Sequence, residues 1–161
     1  MIREATVSDA KAIAEIYNYY VLNTVITFEF DPVTPQEITQ RMEKYKEVGP
    51  FLVYEEKGEV IGYTYVSQFR ERKAYEHSVE STIYLKHGVG GKGLGAKLYS
   101  ELLLQVSSQR HTIIGGIALP NEASVKLHER CGFIKVAHFS EVGKKFGKWI
   151  DVGFWQREGT G

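Results

Sequence analysis

"KHGVGGKGLGAKL", residues 86–98, packs five glycines into the eight positions from Gly88 to Gly95, directly ahead of a run of helix formers. Two spacings inside it, Gly88-x-Gly90-x-x-Gly93 and Gly91-x-Gly93-x-x-Ala96, fit the glycine pattern of dinucleotide-binding loops. The following stretch, Lys97 to Val106, reads as helix. A glycine-rich turn that opens a helix suits phosphate, because bare backbone N–H groups converge there and the helix dipole favours negative charge. The stretch therefore predicts a phosphate cradle in the middle of the chain, and its surroundings decide which kind.

Upstream, Ile2 to Ala5 reads as a short strand, and Ser8 or Asp9 can cap a helix with Ala12, Ile13, Ile16, Tyr17 and Tyr20 on one face. "TVITFEF", Thr24 to Phe30, is extended or loop. Thr34, Pro35 and Glu37 begin a second helix with a near capping box, and it fades at Gly49-Pro50. Three strands follow: Phe51–Glu56, Glu59–Phe69 across a tight Lys57-Gly58 turn, and His77–Lys86. Downstream, a helix carries Leu94, Leu98, Leu102, Leu103 and Val106 on its apolar side. His111–Leu119 is a strand, "NEASVKLHERCGF" is a short helix stopped at Gly132, and "FIKVAHFS" and "GKWIDVGFWQR" form an antiparallel pair. The order βαα, βββ, α, β, α, ββ predicts an α/β fold of the α+β type. One crossover helix creates a parallel pair inside a mostly antiparallel sheet, unlike a doubly wound fold.

The chain has 161 residues, which favours one domain over residues 1–161, and 20 basic residues balance 20 acidic ones. No basic excess points to nucleic acid, and no apolar run approaches the roughly 18 residues of a membrane span. The start, "MIRE", lacks the apolar core of a signal peptide. Cys131 alone builds neither a disulfide framework nor a metal site, and its expected role is a buried thiol. His77, His87, His111 and His138 show no ligand spacing, so no metal is expected. These features predict a cytoplasmic protein without nucleic-acid or membrane partners.

Three readings of the loop compete on residues alone. A P-loop needs a hydroxyl after its lysine, and Gly93 follows Lys92. A dinucleotide fold needs an acid roughly 20 residues on, and Thr112 to Gly116 contain none. A flexible surface turn stays open. "GGKGLGAKL" also resembles the pyrophosphate loop of the GNAT acyltransferases, Q/R-x-x-G-x-G/A, and "LPNEASVKLHERCGF" resembles their next motif. "NTVITFEF", "RKAYEHSVESTIYL", "LPNEASVKLHE" and "FGKWIDVGFWQ" are similar to phosphinothricin acetyltransferases and to bacterial relatives acting on methionine sulfoximine and sulfone. The four blocks run in order from about Tyr17 to Gln156.

That resemblance implies a GNAT-like sheet with helices on both faces and a parallel pair splayed around acetyl-CoA. It implies a small-molecule amine as acceptor and a homodimer. Gly91, Lys92, Gly93, Leu94, Gly95 and Ala96 would hold pyrophosphate. Ile83, Tyr84 and Leu85 would lend backbone groups, and Asn121 would bond the pantetheine arm. On residues alone Asn121 also reads as a helix N-cap. Glu80 stands where the family carries a catalytic carboxylate, although alternation alone also allows a solvent-facing strand glutamate. His128 stands where many members carry a tyrosine that protonates the leaving thiolate; a packed, satisfied histidine is the other reading. Arg70 and Arg72 would clamp the carboxylate of an amino-acid substrate, or form a solvated cluster. Phe28, Tyr75 and Trp149 would wall the pocket, or serve as aromatic core. Two departures stand out: Gly90 replaces the Gln or Arg that opens the loop, and Ile150 replaces a histidine before Asp151.

The activity implied is N-acetyl transfer to the α-amine of a small amino acid or analogue of the methionine sulfoximine, methionine sulfone or phosphinothricin type, with Glu80 as general base. A GNAT shell that senses acetyl-CoA without catalysis, and an enzyme acting on a peptide N-terminus or a polyamine, are the alternatives. An oxidoreductase would betray itself by the absorbance of a bound nicotinamide or flavin.

Overall fold

The computed structural model describes all 161 residues. Its centre is one seven-stranded sheet in the order β1-β2-β3-β4-β5-β7-β6. The strands are β1 (Ile2–Glu4), β2 (Phe51–Glu56), β3 (Glu59–Gln68), β4 (Ser78–Leu85), β5 (Thr112–Leu119), β6 (Ile134–Lys145) and β7 (Lys148–Glu158). The helices are α1 (Ala10–Asn23), α2 (Pro35–Lys46), α3 (Leu94–Ser107) and α4 (Glu122–Arg130). Every strand pair is antiparallel except β4 with β5, the pair that α3 joins. A parallel pair needs such a crossover, whereas the antiparallel pairs β2–β3 and β6–β7 close through two-residue turns.

Alternation along the strands divides the core in two. Phe51, Val53 and Tyr63 meet Ile13, Ile16, Tyr17, Val21, Ile38 and Met42 of α1 and α2 on one face. Leu52, Val66, Val79, Ile113 and Trp155 meet Leu98, Tyr99, Leu102, Leu103 and Val106 of α3 on the other. The leucine stripe expected from the sequence is therefore the buried side of α3.

Local chemistry sets the element ends. Thr34 Oγ1 accepts from Glu37 N at 3.1 Å and Thr34 N donates to Glu37 Oε2 at 2.7 Å, closing the capping box of α2. The expected cap of α1 shifts upstream: Asp9 accepts from Thr6 N at 2.8 Å around the 3-10 turn Val7–Asp9, and Arg3 grips both Asp9 oxygens at 2.8 and 2.9 Å. Lys57 and Gly58 both take positive φ, 52° and 79°, as a two-residue hairpin turn requires. The same holds at Phe146 and Gly147, with φ of 52° and 72°. There β6 runs five residues beyond the end expected at Ser140. It does so through a bulge between Phe139 and Gly143, where Glu141 N donates to Asp151 Oδ1 at 2.7 Å. No helix is long and apolar enough to cross a membrane.

Leu102 is fully buried beneath the sheet. Leu102→Ala should lower unfolding free energy by about 2–5 kcal/mol in urea titration, the usual cost of a core leucine. A variant as stable as the parent would contradict this core.

Candidate active site

Only three residue pairs join the parallel strands: Ser78 with Thr112, Val79 with Ile113 and Glu80 with Ile114. Beyond them β4 stays paired with β3 as far as Leu85, and β5 with β7 as far as Leu119. The two strands thus separate while each keeps its outer neighbour, and a cleft opens through the sheet. Glu80 is the last residue of β4 to pair with β5.

The cleft contains two adjoining cavities. The smaller, about 300 Å³, is lined by residues of the α1–α2 connection (Ile26, Thr27, Phe28), by Glu80 to Tyr84, and by Gly116, Val152 and Phe154 among others. The larger, about 490 Å³, runs along Ile83, Tyr84 and Leu85 to Gly90, Gly91 and Gly93–Ala96. Ile26, Ile83, Tyr84, Asn121 and Ser124 belong to both. Volumes of this order suit small-molecule and cofactor binding.

The glycine stretch forms the far end of the larger cavity. Gly91 and Gly93 have φ of 89° and 73°, and Gly93 is the residue from which α3 starts. Lys92 is exposed and does not line the groove. Lys126 and Arg130 do, one turn apart on α4. Their i, i+4 spacing is visible in "VKLHER", but nothing in the sequence tells which side of α4 faces the loop. They bring positive charge to the groove where Gly90 offers none. Asn121 is the N-cap of α4, its Oδ1 accepting from Ser124 N at 3.2 Å, and it borders both cavities.

At the other end, Glu80 is half-buried on the α1–α2 face. Burial raises its carboxyl pKa above the ordinary value, and the positive charge of Arg70 opposes that rise. Arg70, Arg72, Tyr75 and Trp149 lie outside both linings. The Arg70 guanidinium lies over the Phe69 ring at 5.0 Å, Arg72 precedes the 3-10 turn Lys73–Tyr75, and Tyr75 packs edge-on against Phe69. Trp149 is exposed on the β7 hairpin under Lys144. The aromatic walls are instead Tyr84, Phe154 and the expected Phe28.

His128 is where its neighbours leave it least free. Its Nδ1–H donates to the Ser124 carbonyl at 2.8 Å, which makes Nε2 an acceptor for Tyr99 Oη–H at 3.0 Å. Ser81 Oγ–H in turn serves Tyr99 Oη at 2.5 Å. Burial lowers the His128 pKa, so the ring is held neutral with its one proton already given to Ser124. These bonds are those of a packed, satisfied histidine, one of the two readings that the sequence left open, and the ring also borders the smaller cavity.

Two glycines at the split allow these side chains their places. A Cβ on Gly115 would lie 2.6 Å from His128 Nε2, and one on Gly116 would lie 3.4 Å from Glu80 Oε1 and 3.2 Å from Phe154 Cε1. "TIIGGIAL" carried that signal, a glycine pair inside a strand where backbone meets side chain closely. No group of three His, Cys, Asp or Glu side chains is placed to hold a metal ion.

The sequence matches the acetyltransferase (GNAT) domain family over residues 2–153, and the chain belongs to that family. It is 39% identical to a phosphinothricin N-acetyltransferase of Streptomyces coelicolor, over 97% of this chain and 94% of that protein. It is 37% identical to the L-methionine sulfoximine/L-methionine sulfone acetyltransferase of Salmonella typhimurium, over 96% of this chain and 92% of that one. Among solved structures, a phosphinothricin acetyltransferase from Sinorhizobium meliloti in complex with acetyl-CoA superposes with a TM-score of 0.94 at 37% identity, covering 99% of this chain and 88% of its own.

Gly115→Ala must displace the wedged imidazole, and overpacking of this kind costs about 1–3 kcal/mol. Urea unfolding should show that loss, and a smaller one for Gly116→Ala, whose neighbours need yield only slightly. Equal stability of parent and Gly115→Ala would contradict the packing of His128.

Proposed function

We propose that this acetyltransferase moves the acetyl group of acetyl-CoA to the α-amine of a small amino acid or analogue. The names of its relatives favour methionine sulfoximine, methionine sulfone or phosphinothricin. The observation that carries the proposal is the position of Glu80, a half-buried carboxylate lining the small cavity, which adjoins the larger one along the same strand at Ile83 and Tyr84. In this reading acetyl-CoA lies in the larger cavity, with pyrophosphate on the Gly91–Ala96 amides, flanked by Lys126 and Arg130. Its pantetheine arm follows Ile83–Leu85 and Asn121. The acceptor occupies the smaller cavity beneath Phe28 and Phe154.

Glu80, directly or through water, takes one proton from the acceptor's ammonium group. The freed amine attacks the thioester carbonyl, C–N forms and C–S breaks, and the second nitrogen proton passes to the departing thiolate, which leaves as the CoA thiol. Backbone N–H groups along Ile83–Leu85 face the developing oxyanion. A sensor without catalysis has no use for a carboxylate whose affinity for protons is raised. Arg70, the cation close enough to act on Glu80, is the group that meets the substrate carboxylate at the cavity mouth, with Arg72 beyond it. The exposed apolar side chains of the terminal hairpin, Ile134, Val136, Phe139 and Trp149 among them, support a homodimer.

Three outcomes test this. Glu80→Gln should keep its fold and acetyl-CoA binding but lose about 10²–10⁴-fold in kcat. A base works only when deprotonated, so the parent's kcat/KM should climb with pH through a value above the ordinary carboxylate pKa; Glu80→Gln should lack that climb. Full activity with the same pH profile in the variant would remove Glu80 from the chemistry. Lys126→Ala with Arg130→Ala should raise KM for acetyl-CoA by about tenfold while leaving KM for the acceptor alone; each charge-assisted contact is worth on the order of 1 kcal/mol. An acceptor panel should rank the three amino-acid analogues above a peptide N-terminus and a polyamine, and Arg70→Gln should cost about ten- to a hundredfold in kcat/KM. Preference for the polyamine or peptide would overturn the substrate class.

A further inference from the structure

The chain between α1 and α2, residues 24–34, forms no strand or helix, yet Ile26, Thr27 and Phe28 wall the small cavity. A wall of irregular chain keeps its shape only when side chains hold it from outside. On the α1 side the anchors are local. Tyr17 Oη and Thr27 Oγ1 share a hydrogen bond at 2.8 Å, and the Asn18 amide bonds both the N–H and the C=O of Val33 at 2.8 Å.

The other anchors come from the far end of the chain. Lys145 Nζ donates to the Thr27 carbonyl at 2.8 Å. The Phe28 ring lies on the backbone of Gly143, where a Cβ would sit 2.5 Å from two of its carbons. Both residues lie on β6 beyond the bulge at 140–142, and Gly143 pairs with the buried Ile150 of β7.

Lys145 is the unusual group. It is 1% exposed, Thr27 is its only hydrogen-bond partner, and it makes no ion pair. The rings of Phe30 and Phe146 stand 5.8 and 5.2 Å from its Nζ. Burial lowers its pKa and the charge of Glu29 resists that. An ammonium there costs desolvation that a methionine of similar length would avoid. What the ammonium does is hold the one carbonyl that fixes the cavity wall.

We propose that Lys145 and Gly143 form a latch that positions residues 26–28 and thereby sets how well the acceptor fits. Lys145 holds Thr27, and Gly143 makes room for the Phe28 ring. The proposal rests on the reading of the small cavity as the acceptor site. Neither residue touches reacting atoms, so both are positioning residues. Their effect belongs in acceptor KM and not in acetyl-CoA KM.

The test uses the full chain with Lys145→Met, Gly143→Ala and, as a control on the same hairpin, the exposed Lys148→Met. Amide hydrogen exchange of residues 24–34 is measured without substrates, beside separate KM values for methionine sulfone and acetyl-CoA. Both latch variants should exchange about tenfold faster in that segment than parent or control. Methionine sulfone KM should rise about tenfold, with acetyl-CoA KM within about twofold of the parent. Adding Phe28→Leu to Gly143→Ala should recover most of the lost segment protection, because the smaller side chain clears the new methyl. Should Lys145→Met not fold, Lys145→Gln takes its place. Unchanged exchange in residues 24–34 overturns the latch. Faster exchange with methionine sulfone KM unchanged, or with both KM values rising together, overturns its role in positioning. A parent that binds and hydrolyses acetyl-CoA but acetylates no amino-acid analogue refutes the acceptor reading, while the exchange result still judges the latch.

Discussion

Everything at the active centre depends on a parallel ladder that ends after three pairs. β4 and β5 are each fully paired on their outer sides, so neither can bend far, and their separation past Glu80 and Ile114 is fixed by the rest of the sheet. Backbone N–H and C=O groups along the inner edges are thereby left for a ligand. A strand edge normally invites another strand. Here residues of α3 and α4 and of the α1–α2 connection line the gap, so it is a cavity and not a free strand edge. The glycine loop sits where β4 leaves the sheet and α3 begins, so the loop and the split are two ends of one feature.

Alternation then assigns chemistry to faces. Successive β4 residues point to opposite sides of the sheet, which sends Glu80 toward the α1–α2 face and Ser81 toward α3. The same desolvation acts on both sides with opposite consequences. It raises the pKa of Glu80, an acid whose charged form is penalised, and lowers that of His128, a base whose charged form is penalised. Burial therefore raises the proton affinity of the carboxylate on one face and disfavours a charged imidazole on the other. Gly115 and Gly116, consecutive in β5, leave room for the two groups on their respective faces.

Much of this was legible in the sequence, because the signals were local. Turn chemistry at Lys57-Gly58, the capping box at Thr34, the apolar stripe of α3 and the glycine loop each need only a few neighbouring residues to read. The parallel pair followed from one crossover helix. What could not be read depends on contacts across the chain. Which side of α4 faces the loop decides that Lys126 and Arg130, not Lys92, border the phosphate groove. Arg72, Tyr75 and Trp149 have the right chemistry for a pocket but lie outside both cavities: the first two sit in the β3–β4 connection, where spacing does not reveal direction, and Trp149 sits at the start of β7 beside the hairpin turn. The bond from Tyr99 to His128 could not be read because the two residues lie 29 positions apart in sequence. Continuation of β6 past Ser140 was hidden by a bulge that breaks the alternating pattern.

The central claim is that the split between β4 and β5 is the cofactor site. Amide hydrogen exchange with and without acetyl-CoA tests it most directly. The account predicts that saturating acetyl-CoA slows exchange in residues 81–85 and 90–96, while residues 51–56 and 59–68, already paired on both sides, change little. Protection that appears elsewhere and leaves residues 81–85 untouched would contradict it.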